Sequence, residues 1–390
     1  MESFPRRLHQ KLSKREASNA LRYLSFNESK IDFCSNDYLG FAGSPELSAR
    51  IDQRIKKNPV SGSGASGSRL LYGNSKLHED LEEFLSNYYS AEAALIFNSG
   101  YDANLGFFAS ILQKGDLVLY DELVHASIRD GIQMSYAKAH KFRHNDLEDL
   151  ERKLQKGNSD AEDQKECTLY VVTESVFSMD GDSPDLQGLV TLCRQYRAYL
   201  VIDEAHAVGI YGDKGTGLVR EHHLQDDVFA RIITFGKAFG AHGAAVLGSS
   251  ELKKYLINYA RSFIYSTALP PHSLVAIRES HKLLDAAYGK TAQGLLRENI
   301  NYFRSQTDQL KLNEGFVFST SPIQSFILSE NKRVKQVADS IREQGFDVRP
   351  ILSPTVPIGK ERIRFCLLSF KKKKDIAKVL KLLREILVQL

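Results

Sequence analysis

Six short apolar runs alternate with segments of helical spacing, and this alternation constrains the fold more than any other feature of the chain. The runs are AALIF (93–97), LVLYD (117–121), TLYVVTE (168–174), YLVID (199–203), RIITF (231–235) and AAVLG (244–248). Between them lie segments such as SKLHEDLEEFLSNYY and PDLQGLVTLCRQYR, whose apolar residues recur every three or four positions. Strands apolar along their whole length need cover on both faces. The pattern therefore predicts an α/β fold, with a large, mostly parallel sheet between helices. In such sheets ligands gather at the carboxyl ends of the strands.

The pattern changes after about residue 275. The helical stretches HSLVAIRESHKLLDAAYG and QGLLRENINYFRSQTDQL come first, then the short runs SPIQSFILS and RIRFCLL. This predicts a smaller C-terminal α+β domain. The expected division is residues 1–45 as an N-terminal helix and extended segment, 46–275 as the large α/β domain and 276–390 as the C-terminal domain. Leu8, Leu12 and the Ala20-Leu21 pair are expected on one side of the N-terminal helix. The glycine- and serine-rich stretch NPVSGSGASGSRLLYGN (58–74) reads as a loop lining a site, where glycine lets backbone approach a ligand closely. The FKKKKD run reads as a solvated helix start.

Composition removes several function classes. The 52 basic and 48 acidic residues leave a net charge of +4, which is no footprint for nucleic acid and gives no reason to expect a membrane surface as partner. The four cysteines form no CxxC pair, so neither a disulfide scaffold nor a metal site is expected. Reduced thiols fit a cytoplasmic enzyme. No apolar run approaches the roughly 18 residues that a membrane span requires.

The run YLVIDEAHAVG (199–209) allows two chemistries. A DEAH tetrapeptide after a strand can hold magnesium in a nucleic-acid-dependent ATPase. That chemistry also needs a GxxxxGK[ST] phosphate cradle. The nearest sequence, TFGKAFG, has Ala238 after Lys237 and Arg231 five residues before Gly236. The alternative is a pyridine cofactor, pyridoxal phosphate (PLP), whose protonated ring nitrogen a buried aspartate such as Asp203 favours. Lys237 lies one strand later, among small residues that leave room for a planar group. It would carry the cofactor as a Schiff base. Gly100 and Tyr101, where a strand meets a helix in FNSGYDANLG, would offer amides and a helix dipole to the phosphate. Thr234 would add a hydroxyl. His125 follows another strand end and would lie flat on the ring, and His206 would reach the ring hydroxyl. Glu204 and Ala205 receive no role.

The motifs FCSNDYLGF, GSGASGSRLLYG, LIFNSGYDANLG, DELVHASIRDG, TESVFSMDGD, VIDEAHAVG, TFGKAFGAHGAAV, FIYSTALPP, PTVPIG and RIRFCLLSF occur in this order across nearly the full length. In this they resemble the α-oxoamine synthases, PLP enzymes of aminotransferase fold type I. The resemblance implies an aspartate-aminotransferase-like fold with a seven-stranded sheet. The activity implied is the decarboxylative condensation of an amino acid with an acyl thioester on coenzyme A or an acyl-carrier protein. The finer motifs favour L-alanine with a pimeloyl thioester, and a sister activity using glycine with another acyl-CoA is the alternative. By the same resemblance Ser178 would contact the cofactor, and Arg364 would take the amino-acid carboxylate beside Asn36. Arg22 and Thr355 would contact the acyl substrate. A homodimer with a shared active site is implied, with Ser266 and Thr267 approaching the phosphate across it. One departure is visible. Relatives continue RIR into an alanine-rich turn ending in histidine, whereas this chain has LLSFKKKK.

Overall fold

The structure is a computed structural model that describes residues 4–24, 26, 30–57, 62–162 and 167–389. Within them twelve strands are numbered in chain order: β1 Ile31–Asp32, β2 Ala93–Phe97, β3 Leu117–Asp121, β4 Lys138–Phe142, β5 Leu169–Glu174, β6 Tyr199–Asp203, β7 Ala230–Thr234, β8 Ala244–Gly248, β9 Ile323–Ile327, β10 Phe346–Asp347, β11 Arg349–Ile351 and β12 Arg362–Cys366. The chain divides into two units. One comprises Leu39–Phe177 and Ser183–Gln293; the other comprises Met1–Tyr38, Ser178–Asp182 and Gly294–Leu390.

The first unit holds a seven-stranded sheet in the order β2-β8-β7-β6-β5-β3-β4. Only β8 runs against its neighbours. All six expected strands are present. Their side chains alternate between two apolar layers, as a period of two requires. Val118, Tyr170, Val172 and Val201 enter one layer. Leu117, Leu119, Val171, Leu200 and Ile202 enter the other. The seventh strand, β4, has the sequence KAHKF and was not expected, because four of its five residues are exposed. It is an edge strand, and an edge has no need of an apolar face.

The helix that carries Gly100 and the helix that follows His125 both begin with side-chain caps. Ser99 Oγ accepts the Asp102 amide at 3.0 Å and starts the helix Gly100–Ile111. His125 Nδ1 accepts the Ser127 amide at 3.3 Å and starts the helix Ala126–Gln133. The glycine-rich loop ends in one wide helical turn, Arg69–Gly73; its residues 58–61 lie outside the described residues. Arg69 pairs with the buried Glu82 and bonds Asn74 Oδ1 at 2.8 Å. Glu82 also accepts the Ile96 amide at 3.0 Å and Lys253 Nζ at 2.9 Å. Arg69 therefore anchors the loop to the end of its own unit's sheet.

The second unit contains the antiparallel sheet β11-β12-β9 and the short parallel pair β1-β10. Its N-terminal helix, Arg6–Ala17, stops earlier than the apolar spacing predicts. Asn19 takes a φ of 54°, and Ala20 and Leu21 fall beyond the helix. Ala20 is buried, whereas Leu8 and Leu12 stay 45% and 49% exposed. The lysine-rich run leads into the helix Lys373–Gln389.

Candidate active site

In the first unit the carboxyl ends of neighbouring strands carry polar residues into buried or half-buried positions. β5 ends at Glu174, β6 at Asp203 and β7 at Thr234. Glu174 and Asp203 are register partners, so two buried carboxylates lie side by side. Asp203 Oδ1 accepts the Ala205 amide at 2.9 Å, and Oδ2 accepts Asn104 Nδ2 at 2.8 Å. Glu174 Oε1 accepts the backbone N–H of His125. Burial first, and then the charge of Asp203, push the Glu174 carboxyl up to about 8, against the opposing pull of Lys237. Burial also lowers the pKa of His125, with Asp203 opposing and Lys237 assisting. The same electrostatic environment thus joins His125, Glu174, Asp203 and Lys237.

Lys237 stands in the turn between β7 and β8 and is half-buried. That turn is closed by Gly240 N–H to Lys237 O at 2.9 Å and by Ala241 N–H to Phe235 O at 2.9 Å. It abuts the turn that follows Asp203. Gly209 has a φ of +86°, and a Cβ there would meet the Ala238 Cβ at 2.5 Å. A side chain at 209 would push the lysine turn off the aspartate turn. His206, on the aspartate turn, is buried.

The helix beginning at Gly100 and the end of β7 also meet closely. A Cβ at Gly100 would lie 2.6 Å from Thr234 Cγ2. Thr234 Oγ1 is buried without a partner among the described residues. The first-turn amides of Gly100 and Tyr101 face outward from the helix start, where a helix leaves its N–H groups free. An orphaned hydroxyl beside a helix N-terminus is a donor set for an anion. The Tyr101 hydroxyl donates to Asp130. The segment with Ser266 and Thr267 is tied to the glycine-rich loop and to Asn98: Ser68 bridges to Thr267, and Asn98 Nδ2 donates to Thr267 O at 2.7 Å. An acidic partner for a ring nitrogen, an amine on a close turn and a phosphate-type donor set fit PLP.

The second unit brings together the other expected residues in two pairs. Arg364 Nη2 donates to Asn36 Oδ1 at 2.6 Å. Tyr38 also donates to this oxygen, at 3.2 Å. Arg364 Nε is buried and has no partner among the described residues, which leaves one N–H of the guanidinium without an acceptor. Arg22 Nη2 donates to Thr355 Oγ1 at 2.9 Å. Ser178 belongs to the segment Ser178–Asp182 of this unit and is buried. Arg362 pairs with Asp180 and fastens that segment.

Three residues of the site were not singled out by sequence reasoning: Asn104, Ser127 and Glu174. Each lies near a recognised residue. Asn104 is one turn into the Gly100 helix, and Ser127 is two residues after His125. A glutamate closing the apolar run LYVVTE was the available signal for Glu174.

The aminotransferase class I and II family model matches residues 28–383. The 8-amino-7-oxononanoate synthase of Emericella nidulans is 41% identical over 372 residues, which cover 92% of this chain and 90% of that protein. Among solved structures, a serine palmitoyltransferase from S. paucimobilis with bound PLP superposes with a TM-score of 0.86 at 25% identity, covering 97% of this chain and 96% of that one. The 8-amino-7-oxononanoate synthase of Francisella tularensis superposes with a TM-score of 0.76 at 28% identity, covering 93% and 98%. The chain belongs to the aminotransferase class I and II family and is a PLP-dependent enzyme of the α-oxoamine synthase type.

Proposed function

We propose that the enzyme condenses L-alanine with a pimeloyl thioester to form 8-amino-7-oxononanoate, carbon dioxide and the free thiol, a cytoplasmic step of biotin biosynthesis. The observation that carries this reading is the 41% identity to a synthase of that name across 92% of the chain. The acyl carrier is coenzyme A or a carrier protein.

Bound PLP supplies an electron sink that stabilises negative charge at the amino-acid α-carbon. The remaining work belongs to the chain. Asp203 keeps a carboxylate against the ring nitrogen, and His206 with Ser178 serves the ring hydroxyl. Gly100, Tyr101 and Thr234 donate to the phosphate, with Ser266 and Thr267 contributing from the partner subunit. His125 covers the ring face. Arg364 takes the alanine carboxylate beside Asn36 and so orients the α-proton. Lys237 Nζ would take that proton. Arg22 and Thr355 bind the acyl group. The dimer this assignment requires has support in apolar side chains exposed around the same segments: Leu71 at 87%, Tyr72 at 79% and Tyr265 at 72%. Sedimentation of the holoenzyme as a monomer at micromolar concentration would remove Ser266 and Thr267 from the assignment.

A second reading has its own observation. The superposition on serine palmitoyltransferase is closer than on the biotin-pathway enzyme, 0.86 against 0.76. A sister synthase using glycine or another amino acid with a different acyl-CoA has the same fold. Thiol release across a panel of amino acids and acyl thioesters separates the two. Alanine with the pimeloyl thioester is expected to lead; faster turnover of another pair would replace the first reading. Carboxyl-labelled alanine should release carbon dioxide only when the thioester is present. Equal release without it would refute condensation.

A further inference from the structure

We propose that Asn104 and Ser127 form a relay from Asp203 to His125 that holds the His125 imidazole neutral, with its proton on Nε2. The four side chains make a continuous series of hydrogen bonds. Asn104 Nδ2 lies 2.8 Å from Asp203 Oδ2 and 3.0 Å from Ser127 Oγ. Ser127 Oγ lies 2.7 Å from His125 Nδ1. Asn104 and Ser127 are 2% and 0% exposed, so water does not substitute for these bonds.

The donor directions follow from chemistry. An ionised carboxylate only accepts, so Asn104 must aim its NH₂ group at Asp203. The second hydrogen of that group points to Ser127 Oγ. Turning the amide over would set Oδ1 against an acceptor, whereas in the observed orientation Oδ1 merely lacks a partner among the described residues. The Ser127 backbone N–H can only donate, and it donates to His125 Nδ1 at 3.3 Å, so Nδ1 is an acceptor and the Ser127 hydroxyl hydrogen turns to the same nitrogen. A nitrogen facing two donors carries no proton, which leaves the proton to Nε2.

The surroundings agree. Burial opposes a charged ring, as do Lys237 and Arg129, while Asp203 and Asp130 favour one, and burial dominates. Glu174 engages His125 only through its backbone amide. The relay stands on these contacts alone. Its consequence rests on the proposed function: a neutral ring places no second cation over a pyridine whose nitrogen is protonated beside Asp203. Asn104 and Ser127 are thus positioning residues.

The test is nitrogen-15 NMR of histidine-labelled holoenzyme, with His125 assigned by its loss in His125→Asn. The expected wild-type signature is an unprotonated Nδ1 and a protonated Nε2 from about pH 6 to about pH 8, a window around the ordinary imidazole value. Ser127→Ala and Asn104→Leu should each move the balance toward Nδ1–H and raise the titration midpoint by about one pH unit, the worth of one hydrogen bond. Ser127→Thr keeps the hydroxyl and should restore the wild-type signature. A protonated Nδ1 in the wild type overturns the relay, and so do unchanged spectra in both disruptive variants. Should those variants not fold, the wild-type spectrum and Ser127→Thr still decide. The signature does not depend on which amino acid is the substrate, so its failure is distinct from failure of the proposed function.

Discussion

Asp203 and Glu204 are adjacent carboxylates at the end of one strand, yet their surroundings separate them. Glu204 is closed off. Its Oε2 takes Arg231 Nε at 2.7 Å and Nη2 at 2.6 Å, and its Oε1 takes the Val219 amide at 3.0 Å. Arg231 is completed by the carbonyls of Tyr89 at 3.1 Å and Thr216 at 2.6 Å. A Cβ at Gly217 would meet the Glu204 carboxylate at 2.6 Å. Asp203 receives one amide and one asparagine, and keeps acceptor capacity. The two regions teach that partner saturation, not residue type or burial, separates a carboxylate that holds the fold from one able to take a ligand.

Substitutions at each region should give opposite signatures. Lys237→Ala, on the Asp203 side, should lower turnover by at least ~10³-fold and abolish the visible cofactor band, with the denaturation curve of the apoprotein unchanged. Retained turnover would remove Lys237 from the chemistry. Glu204→Gln, on the closed side, should cost about 3–5 kcal/mol in chemical denaturation, because it strands a buried guanidinium. Changing both partners, Glu204→Leu with Arg231→Met, should recover much of that loss. Additive losses would mean the pair is not a unit.

Smaller effects sharpen the contrast. Arg364→Lys keeps the charge but loses the fork, so KM for the amino acid should rise roughly ten- to a hundredfold, read from initial rates. An unchanged KM would show that the amino-acid carboxylate binds elsewhere. Glu174 adds a pH signature. Its folded carboxyl holds its proton up to about pH 8, whereas the unfolded group releases it near its ordinary value of 4.5. Between these values the native state binds more protons, so this group's contribution to stability falls as pH rises and levels off above about 8. Glu174→Gln should flatten that decline in apoprotein denaturation midpoints; a slope identical to wild type would refute it. The smallest effect is expected for Thr355→Ala, with KM for the acyl thioester rising a fewfold, roughly the worth of one exposed hydrogen bond, while KM for the amino acid holds.

How legible these features were in the sequence depended on burial. β2, β3, β6 and β8 matched their apolar runs at both ends, since each is covered on both faces. β4 was missed because its lysines and histidine face solvent. The N-terminal helix was drawn too long because Ala20 is apolar for burial beyond the helix, not for its face. Asp203, at a strand end, and Lys237 and His125, just beyond strand ends, stood out beside apolar runs. Asn104 did not, because its meaning lies in a contact 99 residues away. Glu204 remained blank in the sequence for the same reason, its partner Arg231 being 27 residues on.

The pairing of Asn36 with Arg364 spans 328 residues. On a ribosome adding roughly 5–20 residues each second, the asparagine waits on the order of half a minute for its arginine. Every product of premature termination before that point lacks the guanidinium. Such a fragment, if it ends after β8, holds every strand of the large sheet but lacks the guanidinium that the proposed function assigns to the amino-acid carboxylate.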